Sequence, residues 1–217
     1  MPFHHPATVV IIDPRQVESA PLSPAEEQQA ARFHFEKDAR HWRACRRALR
    51  RILGTALSLD PAAIQFDLGE HGKPMLPPPH HPLHFNLSHC RDLALVALSS
   101  DGPVGIDLEA ADRASSLLGC ESAFCHPEEL AALPELPEAR AAALLELWTS
   151  KEALLKALGT GLSLPPESFS LAGDRTDQPR LREFRVHRLD HPALAGHVAR
   201  FAGPVVMAAP QVVLFAT

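Results

Sequence analysis

The stretch Val104-Gly105-Ile106-Asp107-Leu108-Glu109 alternates apolar and acidic residues, which predicts a β-strand. Alternate side chains of a strand point to opposite faces. Ile106 and Leu108 are therefore expected in a core, while Asp107 and Glu109 share the other face. Two neighbouring carboxylates repel each other unless a cation lies near them. The pattern is typical either of an edge strand with a polar face or of a site for a hard cation such as Mg²⁺.

The turn-forming residues Asp101-Gly102-Pro103 come directly before this strand and interrupt the regular pattern. They predict a boundary between residues 1–102 and residues 103–217. Each part contains one long stretch with helical periodicity, from Glu36 to Leu57 and from Glu138 to Leu158. Short apolar runs predict strands in both parts. Those of the tail are expected to form a second sheet, and they lie at residues 184–189, 196–202, 205–208 and 212–216.

The second helical stretch places Trp148, Glu152 and Lys156 four residues apart, on one face. A Glu–Lys pair at this spacing is, on its own, a common surface salt bridge. The functional alternative is that Glu152 adds a third carboxylate to Asp107 and Glu109. Without a cation, three converging carboxylates would repel one another. Lys156, one turn further on, is then positioned to meet a phosphate.

A broad basic stripe lies on the side of the first helix opposite its apolar face. It consists of Arg40, Arg43, Arg46, Arg47, Arg50 and Arg51. Acids on the same helix are too few to pair with all of them. The stripe is therefore either a solvated surface or a surface that binds an anion, since guanidinium groups fork onto phosphate and carboxylate oxygens.

The composition excludes several classes of protein. The 217 residues are 46% hydrophobic and 22% charged, as in ordinary globular proteins, and the net charge of −5 argues against a broadly basic nucleic-acid binder. No apolar run approaches the ~18 residues of a membrane span, and the N-terminus lacks a signal-peptide pattern. We therefore expect a cytoplasmic protein that binds neither nucleic acid nor membrane. The four scattered cysteines predict reduced thiols.

Two further polar segments carry weaker signals. The histidines beside proline at residues 79–84 predict a solvated loop, with a metal cluster as the alternative. Phe85-Asn86-Leu87-Ser88-His89-Cys90 offers donors and acceptors at the end of a predicted strand. A serine hydrolase is disfavoured there, because adjacent strand residues point apart and no G-x-S-x-G elbow is present.

Four motifs, in this order, resemble those of the Sfp-type 4′-phosphopantetheinyl transferases. They are Gly72-Lys73-Pro74, Phe85-Asn86-Leu87-Ser88-His89, Val104-Gly105-Ile106-Asp107-Leu108-Glu109, and Trp148-Thr149-Ser150-Lys151-Glu152-Ala153 followed by Lys156. The resemblance spans about residues 30 to 170. It implies an α+β fold of two similar α/β halves related by a pseudo-twofold axis. Each half is a small sheet packed on a long helix, and coenzyme A binds in the cleft between them.

This resemblance implies an enzyme that moves the 4′-phosphopantetheine arm of coenzyme A to a serine of an acyl-, peptidyl- or aryl-carrier protein. Adenosine 3′,5′-bisphosphate is released. Asp107, Glu109 and Glu152 are implied to hold Mg²⁺, for which Mn²⁺ can substitute, on the pyrophosphate of coenzyme A. Either Glu152 or a metal-bound water would take the proton of the carrier serine. Asp107, Glu152 and Lys156 are thus the expected catalytic residues.

The remaining expectations concern coenzyme A and the carrier. Lys156 and His89 are implied to contact the phosphates, with Lys73, Pro74 and Ser88 near the nucleotide. Some relatives have lysines where this chain has Glu26 and Gln29, so the candidates for gripping the 3′-phosphate are arginines. These candidates are Arg32, Arg40 and the residues of the stripe, Arg46 among them.

The family's carriers present an acidic helix, and the irregular connector at residues 110–126 is expected to contact it through Leu117, Leu118 and Phe124. Both halves lie in one chain, which implies a monomer. Two rival functions stay open at this point. One is a Mg²⁺-dependent phosphohydrolase acting on a nucleotide, and the other is a non-catalytic module that binds coenzyme A or a carrier domain.

Overall fold

A computed structural model describes residues 5–18, 20–80, 82–171 and 179–215. Its helices are α1 (Pro24–Ala30), α2 (Glu36–Leu57), α3 (Pro127–Ala132) and α4 (Pro137–Leu158). Its strands are β1 (Ala7–Ile12), β2 (Asp67–Leu68), β3 (Pro74–Met75), β4 (His84–Cys90), β5 (Leu93–Ser99), β6 (Gly105–Ala110), β7 (Phe184–Arg188), β8 (His197–Pro204) and β9 (Gln211–Leu214). Short 3₁₀ helices, turns and loops make up the rest. The mixed α+β class predicted from the sequence is confirmed.

The first sheet has the strand order β4-β5-β1-β9, and α2 packs on one of its faces. The apolar stripe of α2 lies in the core, as its spacing predicts, with Cys45, Leu49 and Leu53 fully buried. Opposite them lie apolar residues of the sheet such as Phe85 and Val96. Burial of this face stabilises the helix, because a 22-residue helix gains most of its stability from packing.

The second sheet has the strand order β6-β8-β7, with antiparallel pairing throughout, and α4 packs against it. Gly105 allows this close approach. A Cβ atom at that position would lie 2.0 Å from the carbonyl oxygen of Ala153 and 2.3 Å from the amide nitrogen of Ala157. Ile106 and Leu108 lie in a core shared with residues of the first sheet, as the alternation predicts. Asp107 and Glu109 point towards α4.

The tail of the chain differs from the prediction in two places. Residues 184–189 and 196–202 correspond to β7 and β8, but residues 205–208 form a turn after Pro204 and not a strand. Strand β9 belongs to the first sheet, where it runs parallel to β1 with Val10 opposite Val213. An apolar run predicts a strand without specifying its neighbour, so the sequence pattern missed this crossing. Residue 216 of the last predicted run lies outside the described residues.

The connector is also more ordered than its sequence suggests. It forms 3₁₀ helices over Ala111–Leu117 and Glu121–Ala123. Leu117 and Phe124 are buried against α4, so they are not available for contact with a carrier. Leu118 is the member of the predicted trio that stays exposed. Contacts with distant apolar residues of α4 override the lack of a local period.

A buried ion pair fastens the connector region to α4. Lys151 has no exposed surface, and its ammonium lies 2.6 Å from a carboxylate oxygen of Glu129, at the start of α3. It also donates to the carbonyl oxygens of Phe124, Pro166 and Phe169, at 2.7–2.8 Å. These partners lie on three separate segments. One lysine therefore sets how they wrap around the helix.

Lys151→Met is expected to lower the free energy of unfolding by about 3–5 kcal/mol, because it leaves the buried carboxylate of Glu129 without its cation. Urea unfolding followed by circular dichroism measures this loss. The exposed Lys37→Met is the matched control and should leave stability nearly unchanged. The double variant Lys151→Met/Glu129→Leu should recover part of the loss. A single variant as stable as the wild type would contradict the role assigned to this pair.

Candidate active site

The centre of the site is the carboxylate of Asp107, on β6. The residue is 4% exposed, and its Oδ1 lies 2.5 Å from the Lys156 ammonium nitrogen on α4. The hydroxyl of Ser88, on β4, donates to the same oxygen at 3.1 Å. The second oxygen, Oδ2, is buried without a hydrogen-bond partner among the described residues. Asp107 thus joins three elements and keeps one acceptor atom free.

Glu109, two residues further along β6, contacts the face of α4 that carries Lys156. The indole Nε1 of Trp148 donates to its Oε1 at 3.3 Å, and the guanidinium of Arg113 forms an ion pair with that oxygen. The predicted face of Trp148, Glu152 and Lys156 is therefore turned towards β6. Arg113 was missed by the sequence prediction. The sequence feature that could have identified Arg113 is its position four residues after Glu109, at the start of the connector.

Glu152 completes the group of acids. Its carboxylate lies 3.9 Å from the Lys156 ammonium. Burial raises the pKa of Glu152 above its usual value, Lys156 opposes this, and Asp107 and Glu109 raise it further. A carboxyl group of this kind keeps its proton to a higher pH than a solvated one, which is a common property of groups that exchange protons in active sites.

The sequence analysis considered repulsion among three converging carboxylates, and Lys156 and Arg113 offset part of it by supplying positive charge at Asp107 and Glu109. Among the described residues, His41, Cys45 and His89 form a group whose possible metal-ligand atoms all lie within 4.8 Å of one another. This group does not include the three acids. Asp107 and Glu109 line one cleft, and the three acids are not at the spacing of ligands around one ion.

His89 lies at the edge of this cleft. Its ring contacts that of His41, with the centroids 4.9 Å apart. Burial lowers the pKa of His89, and the positive charges of His41 and Lys156 lower it further. The residue nevertheless keeps an exposed surface. The neutral imidazole is therefore favoured. Asn86, on the same strand, is structural, because its side-chain oxygen accepts a hydrogen bond from the backbone amide of Ile106 at 2.8 Å.

Two clefts are lined in part by the same two elements, β4 and the end of α4. One, of about 410 Å³, is lined by Ser88, His89, Asp107, Glu109, Arg113 and Lys156 among others. The other, of about 530 Å³, is lined by Lys73, Pro74, Met75 and Phe85 on one side and by Gly159 and Thr160 on the other. The first is polar and open, whereas the second has a mainly apolar lining.

Lys73 and Pro74 thus line the second cleft, but the Lys73 ammonium is occupied. It donates to the carbonyl oxygens of Val104, Lys156 and Ala157, at 2.9, 2.6 and 3.3 Å. Burial lowers the pKa of Lys73 to about 8, while these acceptors favour its charged form. Lys73 therefore ties the turn before β3 to β6 and to the end of α4. Its predicted contact with a nucleotide stays a prediction.

Acids on the same helix were expected to be too few for the basic stripe on α2, and most of the stripe is instead paired with acids from outside that helix. Glu26, on α1, lies 3.2 Å from Arg46 and 2.8 Å from Arg50, and Glu27 lies 2.9 Å from Arg43. The prediction considered acids on the same helix, whereas these come from a neighbouring one. Arg46 also packs over the rings of Trp42 and Phe66. This pairing does not favour the predicted role of Arg46 in binding coenzyme A.

The other polar segments add little to the site. His80 and His84 belong to no group of three close metal-ligating atoms among the described residues, and His81 lies outside them. Cys45, Cys90, Cys120 and Cys125 are free thiols. No helix in the described part of the chain combines the length and apolarity needed to cross a bilayer.

Comparison with known proteins identifies the family of this chain. Residues 16–101 match the sequence profile of the 4′-phosphopantetheinyl transferase N-terminal domain, and residues 103–207 match that of the 4′-phosphopantetheinyl transferase superfamily. The 4′-phosphopantetheinyl transferase HetI of Nostoc sp. (strain PCC 7120 / SAG 25.82 / UTEX 2576) is 39% identical over 167 residues, which cover 76% of this chain and 70% of HetI. The chain belongs to the 4′-phosphopantetheinyl transferase family. The resemblance and the enzyme class predicted from the motifs are confirmed.

Two other members of the 4′-phosphopantetheinyl transferase family show similar relationships. The transferase Sfp of Bacillus subtilis (strain 168) is 31% identical over 150 residues, covering 69% of this chain and 66% of Sfp. The L-aminoadipate-semialdehyde dehydrogenase-phosphopantetheinyl transferase of Schizosaccharomyces pombe is 32% identical over 161 residues, covering 67% of this chain and 62% of that protein. The chain therefore matches about two thirds of the length of these relatives.

Glu152→Gln is expected to stabilise the metal-free protein at neutral pH. Because the folded-state pKa of Glu152 is raised, the folded protein binds more protons than the unfolded chain between the two pKa values, and its stability falls as pH rises through that window. The glutamine variant lacks this loss. Urea unfolding in EDTA from about pH 5 to pH 8 should show an advantage over the wild type that grows with pH. The exposed Glu138→Gln, on the same helix, is the control, and an equal pH dependence in all three proteins would contradict the assigned environment.

Proposed function

We propose that this protein transfers the 4′-phosphopantetheine arm of coenzyme A to a serine of a carrier protein and releases adenosine 3′,5′-bisphosphate. The observation that carries the proposal is that Asp107, Glu109 and Lys156 line one open cleft, with the Glu152 carboxylate 3.9 Å from the Lys156 ammonium, in a chain of this family. Carboxylates beside a lysine suit a reaction at a pyrophosphate, where charge must be both held and neutralised.

The donor set fits Mg²⁺, which prefers carboxylate oxygens and retains other positions for water and phosphate. Asp107, Glu109 and Glu152 would hold the ion, and the unpaired Oδ2 of Asp107 is a free ligand atom already present. When bound, the ion would neutralise charge that develops on the phosphates and would orient the leaving group. Mn²⁺ has the same ligand preference and is expected to substitute.

Lys156 is the residue proposed to bind the phosphates. Its ammonium is held at 2.5 Å by Asp107 and at 3.5 Å by the Ser88 hydroxyl, so it is aimed into the cleft before any ligand arrives. A phosphate oxygen would replace part of this pairing. His89 lines the same cleft as a neutral imidazole and would donate a hydrogen bond to a phosphate oxygen.

Glu152 is proposed as the general base. Its raised pKa brings it closer to the range in which a carboxylate accepts a proton efficiently. In the transfer, the carrier serine oxygen forms a bond to the phosphorus that carries the pantetheine arm. The bond from that phosphorus to the leaving phosphate breaks, and adenosine 3′,5′-bisphosphate departs with the electron pair. The serine proton passes to Glu152.

The second cleft is proposed to hold the nucleotide of coenzyme A. Like the acidic cleft, it is lined in part by residues of β4 and of the end of α4, and its lining includes Lys73 and Pro74, which were predicted to lie near the nucleotide end. Arg40 is a better candidate for the 3′-phosphate than Arg46. Arg40 is exposed and has no ion pair among the described residues, whereas Arg46 is paired with Glu26.

We also propose the two-half arrangement, a monomeric state and a cytoplasmic location. What supports the halves is the repetition of a 22-residue helix on a small sheet, with α2 on the first sheet and α4 on the second. A pseudo-twofold axis would relate residues 1–102 to residues 103–217, apart from β9, which joins the sheet of the first half. Both halves lie in one chain, which supports the monomer.

The acidic site and the net charge of −5 favour a protein that does not bind nucleic acid, and no membrane association is proposed.

The two rival functions use the same residues differently. A nucleotide phosphohydrolase would transfer the phosphoryl group to water and need no carrier, and a binding module would need no base at Glu152. Incubation with coenzyme A, Mg²⁺ and an apo carrier protein, followed by mass measurement of the carrier, separates them. Acyl-, peptidyl- and aryl-carrier domains are tested side by side. A gain of one phosphopantetheine mass supports the transferase, whereas hydrolysed coenzyme A with an unchanged carrier would support the phosphohydrolase.

Activity is expected to disappear with EDTA and to return with Mg²⁺ or Mn²⁺. Asp107→Asn should reduce transfer roughly 100-fold or more, since a metal ion contributes several kcal/mol to charge stabilisation. Glu138→Gln, an exposed acid remote from the cleft lining, is the control. A fully active Asp107→Asn enzyme, or full activity after chelation, would exclude the proposed metal triad.

Lys156→Ala is expected to reduce kcat/KM by about ten- to a hundredfold, as for a lost charge-assisted contact of roughly 1.5–3 kcal/mol. The measurement is steady-state transfer with coenzyme A as the varied substrate, alongside a thermal melt. Lys37→Ala, on α2 and exposed, should behave like the wild type. If Lys156→Ala only lowers the melting temperature, with normal kinetics for the folded protein, Lys156 serves structure alone.

A further inference from the structure

We propose that His41, Cys45 and His89 form a binding site for a zinc-class transition-metal ion, separate from the carboxylate site. Their ligand atoms all lie within 4.8 Å of one another. Two nitrogens and one sulfur are ligands that Zn²⁺ prefers and Mg²⁺ does not. The sequence analysis missed this group, because His89 lies more than forty residues after the other two.

Two of the three ligands are already at metal-binding separation. His41 and Cys45 lie four residues apart on α2, so they face the same side of the helix. The Cys45 Sγ and His41 Nε2 atoms are 3.6 Å apart. Zinc bond lengths of 2.0–2.1 Å to nitrogen and 2.3 Å to sulfur imply about 3.5 Å between two ligands of a tetrahedral ion. The i, i+4 pair needs little rearrangement.

His89 supplies the third ligand from β4, the strand on which α2 packs. Its ring contacts that of His41, with centroids 4.9 Å apart, and it is the exposed member of the group. An ion can therefore enter from this side. Cys45 is fully buried. With three protein ligands, the fourth position of a tetrahedral ion would be left for water.

The electrostatic surroundings also suit a cation. Burial lowers the pKa of both His41 and His89, so their rings are neutral and have a lone pair for a metal. Asp38 and Asp92 place negative charge near His41, whereas Lys156 places positive charge near His89. Burial raises the pKa of Cys45 to about 12, so the metal must displace the thiol proton, which leaves to solvent.

The site overlaps the proposed enzyme function at one residue. His89 is proposed to donate to a phosphate of coenzyme A, and a metal would fix its ring towards His41 and Cys45, so that the remaining N–H is held away from the phosphate. A metal at this site would therefore inhibit transfer by competing with coenzyme A. This second step rests on the proposed function, whereas the metal site itself does not.

The first experiment measures binding without reference to activity. The full chain, stripped with a chelator, is titrated with Co²⁺, whose bond to a thiolate gives an absorption band in the near ultraviolet. We expect the band in the wild type, and its loss with release of Co²⁺ when Zn²⁺ is added. Cys45→Ser should abolish it. The exposed Cys120→Ser is the matched control and should retain it.

Because Cys45 is buried, a folding defect in Cys45→Ser would also remove the band, and two further variants keep the test decisive. His41→Gln and His89→Gln should each weaken Co²⁺ binding at least as much as the roughly 10- to 100-fold typical of losing a residue that only supports a ligand. Thermal melts report whether each variant is folded. No thiolate band in the wild type, or an unchanged band in both histidine variants, would overturn the proposed site.

The second experiment tests inhibition of transfer by Zn²⁺ at fixed, saturating Mg²⁺. His41 is outside the proposed catalytic and binding residues, so His41→Gln should transfer normally without Zn²⁺ and should resist inhibition. Equal inhibition of both proteins would place the inhibitory Zn²⁺ elsewhere, such as on the carboxylates, and would overturn the proposed competition. A protein that binds Co²⁺ through Cys45 but transfers nothing would refute the proposed function and leave the metal site standing.

Discussion

The ion pair between Asp107 on β6 and Lys156 on α4 is the contact on which the site depends. It forms because Gly105 brings the helix against the strand at a distance that no larger residue permits. Ser88, from the first sheet, adds a hydrogen bond to the same carboxylate. A buried carboxylate is costly without such partners, so the position of Asp107 fixes the strand, the helix and the neighbouring sheet relative to one another.

The charges of the cleft are balanced before a ligand binds. Lys156 and Arg113 neutralise two of the three acids, and burial, with smaller effects of Asp107 and Glu109, raises the pKa of Glu152. A bound metal ion would replace Lys156 and Arg113 as the positive partner of the carboxylates. A pyrophosphate would replace a carboxylate as the negative partner of Lys156. Such an exchange keeps the net charge of the cleft nearly constant. The cost of assembling like charges is thus avoided in both states.

Local pattern in the sequence was sufficient for the elements and for the face of each that carries polar groups. The alternation in β6 places Asp107 and Glu109 on one face, and the spacing of four in α4 places Trp148 and Lys156 on one face. The structure turns these two faces towards each other, with Trp148 bonded to Glu109 and Lys156 to Asp107. The pairing of Arg46 with Glu26 was missed, because it depends on where α1 packs. The same limit explains β9, Arg113 and the grouping of His89 with His41. Each depends on tertiary contacts that no short-range period records.

The parallel pairing of β9 with β1 has a consequence for how the chain is made. Strand β1 leaves the ribosome long before β9, yet in the described structure one of its edges is paired by residues 211–215. Until these residues emerge, that edge has unsatisfied backbone donors and acceptors and is able to pair with another chain. Growing chains on a crowded polysome are exposed to this error while the residues between the two strands are synthesised. A chaperone that shields nascent strands would act most usefully here.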